Sequence, residues 1–396
     1  MGRQKFKQVG SFLVVGAGFA GAVHARELVE AGHLVTVVDK RAHIAGNAYD
    51  YIDHNGVRVH KYGPHLFHTN MVHVRDWIAR FGELMPYEHK VYALLADGRY
   101  VDFPVNARTL AVLFNVDPND AQSIAAAVAS DREERVGVWT AADFLYGAIG
   151  PKITNLFFRP YTKKMWGIEL EDMDAAVVKR VGIRTDFEER YFPNDVIQFL
   201  PKEGYTGLFE RILEHANISV LLNTPFSKAM ETDYDHVFNS MPIDEYFDFC
   251  LGDLPYRSIK FHNDDQPRLA APNRSVVNYT DEGKFTRETW WHLLPGHDLQ
   301  PSATVTRTRE EPCDYRDNDD ERYYPIKTSD DRYGALYERY KALAAEKSNM
   351  SFIGRCGTYQ YLDMHQVINQ SLTHVRQFLA ALADCVDQVG NKALTG

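Results

Sequence analysis

The chain has 396 residues, 45% of them hydrophobic and 25% charged, with a formal net charge of −10. That length predicts two or three domains with a substantial core. The acidic balance excludes a general nucleic-acid binder, since neutralising phosphates needs a basic face, but it allows one small anion in a locally basic pocket. The 22 tyrosines and 22 phenylalanines often lie near Pro, Gly and Arg, which fits either a polar pocket lined with rings or ordinary packing. No apolar run approaches the ~18 residues of a membrane helix, so no membrane insertion is expected. The basic segment 1–10 leads through a short apolar run straight into glycines, which reads as a first strand and not as a secretory signal. Cys250, Cys313, Cys356 and Cys385 are scattered without metal-ligand spacing, so free thiols in a reducing cytoplasm and no metal site are expected.

The first predicted strand spans 11–15 and runs into Gly16-Ala17-Gly18-Phe19-Ala20-Gly21. A helix over 22–31 follows, with Gly32 placed to stop it, and a second strand over 34–38 ends at Asp39. Strand, glycine turn, helix, strand and acid together form a dinucleotide-binding fingerprint, with the pyrophosphate on the helix N-terminus and Asp39 on a ribose. The basic, glycine-bearing loop from Lys40 through Gly46 and Asn47 leans toward a buried FAD over an exchanging nicotinamide. His60, His65 and His68 lie in a loop around Gly63 and Pro64. They read as packed histidines or as neighbours of the cofactor ring, and no third ligand supports a metal pair at 65 and 68.

Further along, helical spacing predicts a helix over 71–81, and strands flank the Asp97-Gly98 turn. Residues 110–173 read as mostly helical, and 186–205 as irregular and aromatic. Helix, strand and strand are expected across 208–215, 218–223 and 234–239, and antiparallel sheet across 258–308. A polar, turn-rich stretch over 312–332 precedes a helix over 333–345, a strand end at 352–354 and a last helix over 364–386. The fold class is therefore α/β: a discontinuous Rossmann-like FAD-binding domain (1–85, 206–245 and 330–396) with an inserted helical domain (106–185) and an antiparallel β-sheet domain (86–105, 186–205 and 246–329).

Motifs for a serine nucleophile, zinc hydrolysis, a P-loop or a dithiol are all missing, which leaves the chemistry to the cofactor. Arginines recur beside tyrosines and apolar residues, as in 159–167, 177–181 and 286–290. Arg offers a rigid fork and Tyr a hydroxyl on a rigid ring, both suited to a diphosphate.

The N-terminal glycine motif, the runs 41–47, 63–69 and 155–167, and the later Tyr191-Phe192-Pro193, Glu203-Gly204-Tyr205, Tyr323-Tyr324-Pro325-Ile326 and 357–364 occur in an order that resembles the bacterial UDP-galactopyranose mutase family across nearly the whole chain. The resemblance implies an isomerase that interconverts UDP-galactopyranose and UDP-galactofuranose by covalent catalysis through N5 of reduced FAD. NAD(P)H or another reductant would reduce it, in a cytoplasmic homo-oligomer. It implies catalytic roles for Arg180, Arg287, His68 and His65. It implies substrate contacts from Phe157, Phe158, Tyr161, Thr162, Trp166, Tyr191, Asn278 and Tyr361, with one of Tyr323 or Tyr324 toward the diphosphate. On the cofactor side it implies Gly16, Gly18, Phe19, Gly21, Asp39, Lys40, Gly46, Asn47, His65, Arg355, Tyr361, Asp363 and Met364. Pro64 stands where the family would be expected to carry a small residue such as Ala. The competing reading is an amine-oxidase-like flavoprotein oxidoreductase, which shares the FAD half but would not need the Arg and Tyr donors.

Overall fold

The computed structural model describes residues 9–392 except 136, 139, 179–182 and 329. At its centre is a five-stranded parallel sheet. Ser11–Val15 lies in the middle, with Leu34–Val38 and then Ile218–Leu221 on one side and His236–Asn239 and then Met350–Phe352 on the other. Such a sheet is covered on both faces, which is why its central strand is a continuous apolar run. Phe12, Leu13 and Val14 are all at most 1% exposed. Phe12 and Val14 pack under the helices Phe19–Glu30 and Met364–Lys392, through Ala22, Ala25, Ile368 and Leu372. Leu13 and Val15 face the other way, toward Val237 and Tyr246.

The first helix begins at Phe19, three residues earlier than the alanine pattern predicts, so the glycine turn feeds it directly. Gly21 is what permits this. A Cβ there would lie 1.9 Å from the Gly16 carbonyl oxygen and 2.9 Å from Val14 Cγ1, so a side chain would push the helix off the strand. A buried histidine, His24, and a half-buried one, His374, tie this helix to the C-terminal one. His24 Nδ1–H donates to the Ala20 carbonyl (2.7 Å), so His24 Nε2 must accept from His374 Nδ1–H (2.9 Å).

A second sheet has seven strands, in the order Tyr324–Pro325, Tyr256–Pro267, Thr304–Asp314, Arg287–Trp290, Val276–Tyr279, Val91–Leu94 and Tyr100–Phe103. Its pairings are antiparallel except that of Val276–Tyr279 with Val91–Leu94. The sheet shares one hydrophobic core with the helical segment: Val91, Val101 and Val276 join Leu110, Ile124, Leu145 and Ile153. Ile197–Pro201, grouped with the antiparallel sheet from sequence, pairs instead with Phe67–Thr69 and Leu84–Pro86 in a separate three-stranded sheet. Among the described residues, no helix is long and apolar enough to cross a membrane.

Burial holds the imidazoles of His24 and His89 down to about 3, and those of His65, His236 and His297 to about 4. In the unfolded chain each would take up a proton near pH 6.5, whereas in the fold it stays neutral until far lower. Stability is therefore lost as pH falls below about 6.5, by up to ~1.4 kcal/mol per pH unit for each such histidine. Urea unfolding at pH 7.5, 6.5 and 5.5 should give a midpoint that falls modestly between the first two and much more steeply to the third. Equal midpoints throughout would contradict the neutral burial of these rings.

Candidate active site

The C-terminal ends of the parallel strands open onto a cavity of about 310 Å³. Its floor is the glycine turn. Gly16 has φ +98°, and a Cβ on it would meet Ser240 Oγ at 2.1 Å, so this corner admits only glycine. Gly46 closes over Gly18, with an added Cβ only 2.9 Å from Gly18 Cα. The helix that starts at Phe19 has no side-chain cap and no acidic residue in its first turn, so its free N–H groups face the cavity unneutralised. Asp39 fixes the turn: one carboxylate oxygen accepts from Ala17 N–H (2.8 Å) and the other from Arg41 N–H (2.9 Å).

At the other end stand Arg355, Tyr323 and His65. Arg355 donates to the carbonyls of Leu362 (3.2 Å) and Tyr323 (3.2 Å), and its guanidinium lies 5.1 Å from the Tyr361 ring. The Tyr323 hydroxyl donates to the Tyr62 carbonyl (2.6 Å). Burial, with Arg355 and Arg287 nearby, keeps His65 neutral. Its Nδ1–H donates to the Gly63 carbonyl (2.9 Å), so Nε2 carries no proton.

Beyond His65 lies a cation. Arg287 sits on strand Arg287–Trp290 and pairs through Nε with Glu310 Oε1 at 2.7 Å; the Glu310 side chain is wholly buried. Burial works against the Arg287 charge, but Glu310 more than offsets it and holds the guanidinium protonated. Arg287, Tyr191, Glu310 and Tyr361 all lie within electrostatic reach of Tyr161, on the helix Arg159–Trp166, whose hydroxyl burial pushes up. Asn278 is the cross-strand neighbour of Arg287. A protonated fork and several ring hydroxyls thus converge next to the cavity, a donor set suited to an anion.

The structure brings Gly16, Gly18, Phe19, Asp39, Lys40, Gly46, Asn47, His65, Arg355 and Met364 to the lining of one cavity. Gly21, Tyr361 and Asp363 do not line it. Gly21 is spent on helix packing, Tyr361 packs toward Trp166 and Tyr324, and the Asp363 N–H is held by Gln366. Tyr323 and Tyr324 part company: the first lines the cavity, while the second is 1% exposed and donates its hydroxyl to the Met165 carbonyl. Phe157, Phe158, Thr162 and Trp166 are buried in the helical layer. His68 is not in the cavity wall either. Its Nδ1 is 2.5 Å from Asp195 and its ring stacks on Phe192 at 3.6 Å. Arg180 lies outside the described residues. The sequence reading missed Thr224, Ser240, Met241, Glu321 and Arg322. Three of these follow predicted parallel strands, and the rule that ligands bind at the carboxyl ends of such strands would have found them.

Residues 156–361 match the family described as UDP-galactopyranose mutase, and residues 14–81 match an NAD(P)-binding Rossmann-like domain. The chain is 34% identical over 384 residues to a probable UDP-galactopyranose mutase of Klebsiella pneumoniae, covering 94% of this chain and 96% of the relative. It is 31% identical over 374 residues to a dTDP-fucopyranose mutase of Escherichia coli, covering 91% and 96%. A crystal structure of reduced UDP-galactopyranose mutase shares the fold with a TM-score of 0.74 at 15% identity, over 95% of both chains. The chain belongs to the UDP-galactopyranose mutase family.

Proposed function

We propose that this chain interconverts UDP-galactopyranose and UDP-galactofuranose, with FAD bound in the cavity at the carboxyl ends of the parallel strands. The observation that carries the reading is the half-buried Arg287, held protonated by the wholly buried Glu310 and set beside His65 at the end of a dinucleotide cavity. The cavity suits the cofactor: Gly46 closes on Gly18, where a Cβ on Gly46 would come within 2.9 Å of Gly18 Cα, beside an uncapped helix N-terminus. When bound and reduced, FAD supplies the nucleophile, its N5, toward the anomeric carbon of the sugar.

The residues of the chain do the rest. Arg287 binds the substrate diphosphate through its planar fork, with Arg180 as a second cation. Tyr161, Tyr191 and Tyr361 orient the same group through their hydroxyls, while Tyr323, whose hydroxyl is held by the Tyr62 carbonyl, presents its ring at the cavity wall. Phe157, Phe158, Thr162, Trp166 and Asn278 form the uridine side. His65 presents an unprotonated Nε2 where sugar and cofactor meet. Cationic donors stabilise the diphosphate as it leaves and hold it for return, which an isomerisation without net redox requires. The enzyme would work in the cytoplasm as a homo-oligomer, reduced by NAD(P)H or another donor.

Purified protein should carry a flavin absorbance band. It should convert UDP-galactofuranose only after reduction with dithionite or NAD(P)H, without consuming reductant at each turnover. Activity in the oxidised state, or stoichiometric oxidation of the sugar, would overturn the reading. Parallel assays with a dTDP-fucose substrate decide between the two sugar nucleotides named by the relatives.

Arg287→Ala should lower kcat/KM by about 10- to 100-fold, the loss of one charge-assisted phosphate contact, while the flavin stays bound. Arg287→Lys keeps the charge beside Glu310 but loses the fork, and should fall between the two. Loss of flavin from both variants would assign Arg287 to the wrong ligand.

A further inference from the structure

His60 and His297 are each 1% exposed and meet through their Nε2 atoms at 3.0 Å. The proton order in this pair is dictated at both ends. The His65 backbone N–H donates to His60 Nδ1 (3.1 Å), so that nitrogen is bare and the His60 proton is on Nε2. At the far end His297 faces the Pro295 carbonyl through Nδ1 (2.8 Å), so His297 carries its proton there and its Nε2 must accept. The result is one directed chain: His65 N–H to His60, His60 to His297, and His297 to the carbonyl of Pro295. It is boxed in by apolar rings. The Trp291 ring stacks with His297 at 6.5 Å and lies 5.0 Å from His60, and the Tyr205 ring stands edge-on to His60 at 5.6 Å. The loop bearing His297 is pinned in turn, because Arg58 N–H donates to the His297 carbonyl (2.8 Å).

From this we propose that His60 and His297 are positioning residues: His297 sets the tautomer of His60, and His60 holds the peptide N–H of His65, and with it the His65 ring, at the cavity wall. With the Nδ1–H tautomer of His60, two donors would face each other and the His65 peptide would be released. The functional part rests on the reading of that cavity as the flavin site, while the tautomer order does not depend on it. Neither His60 nor His297 lines the cavity, so they act only through His65.

The test compares holoenzyme with His297→Gln and His297→Phe. Glutamine can accept from His60 Nε2–H, whereas phenylalanine keeps the volume and the stack on Trp291 but accepts nothing. In 15N-histidine-labelled wild type, NMR should show His60 protonated on Nε2 and His297 on Nδ1. His297→Gln should keep kcat within twofold. His297→Phe should lower kcat about tenfold with little change in KM, and should shift the visible spectrum of the bound flavin. A wild-type His60 protonated on Nδ1, or equal kcat and equal spectra in the two variants, would overturn the proposal. If the protein carries no flavin, the cavity reading fails, and the wild-type tautomers still decide whether the relay exists. They also decide it if His297→Phe does not fold.

Discussion

Arg287 and Glu310 face each other directly across neighbouring strands of the seven-stranded sheet. Asn278 stands opposite Arg287 on the next strand and Phe261 opposite Glu310 on the other side, so the four belong to one cross-strand row. Taking an ion from water costs several kcal/mol, and a well-packed apolar pair would often stabilise such a row as well or better. What the ion pair provides is a half-buried cation that stays charged, fixed at its Nε side by a wholly buried carboxylate. That requires register, because a slip of one residue would send the whole row to the opposite face. The long pairing of Tyr256–Pro267 with Thr304–Asp314 holds that register from one side.

The same logic governs the cations nearer the dinucleotide cavity. Arg41 is paired with Glu321 and bonded to Asn47 at 3.0 Å. Arg322 is paired with Glu245 at 3.0 Å and lies 4.8 Å from the Tyr315 ring. An acidic chain with a net charge of −10 can therefore hold an anion site without a basic surface. Its arginines come pre-oriented by carboxylates, so little side-chain order has to be gained on binding. The remaining donors are geometric: the uncapped helix N–H groups and the guanidinium edges.

What was legible in the sequence is what one stretch of chain decides alone. The turn from Gly16 to Gly21, the helix after it and the acid at Asp39 follow from local sterics, and only the start of the helix was misjudged. The site is different because its parts come from distant segments. Tyr323 and Tyr324 are adjacent and their rings meet edge-on with centroids 6.0 Å apart, yet the first reaches the cavity and the second the core. Only the tertiary fold says which side is cavity and which is core. His68 looks equivalent to His65 by motif, yet Asp195, 127 residues away, takes its ring. The strand Ile197–Pro201 was hidden because its partners, Phe67–Thr69 and Leu84–Pro86, lie far upstream, and pairing of this kind leaves no local signal.

The cavity and the Arg287 cluster rest on different hydrophobic cores. Ala17, Phe19 and Ala45, from the cavity end, belong to the core under the parallel sheet, whereas Tyr191, Tyr323 and Tyr361 pack against the core shared by the helices and the seven-stranded sheet. Two cores need not keep ångström registry with each other, but a reaction across their seam demands it. The stretch 321–323 carries much of that burden. Glu321 is tied to Arg41, the Arg322 carbonyl accepts from the Cys356 thiol (3.8 Å), and Tyr323 is tied through its hydroxyl to Tyr62 and through its carbonyl to Arg355. These bonds tie the stretch to Arg41 after the strand Leu34–Val38, to Tyr62 after the strand Arg58–His60, and to the short helix Gly354–Gly357 after the strand Met350–Phe352. The ring that lines the cavity is thus held from both cores at once, and the geometry of the site depends on this short crossing more than on either core alone.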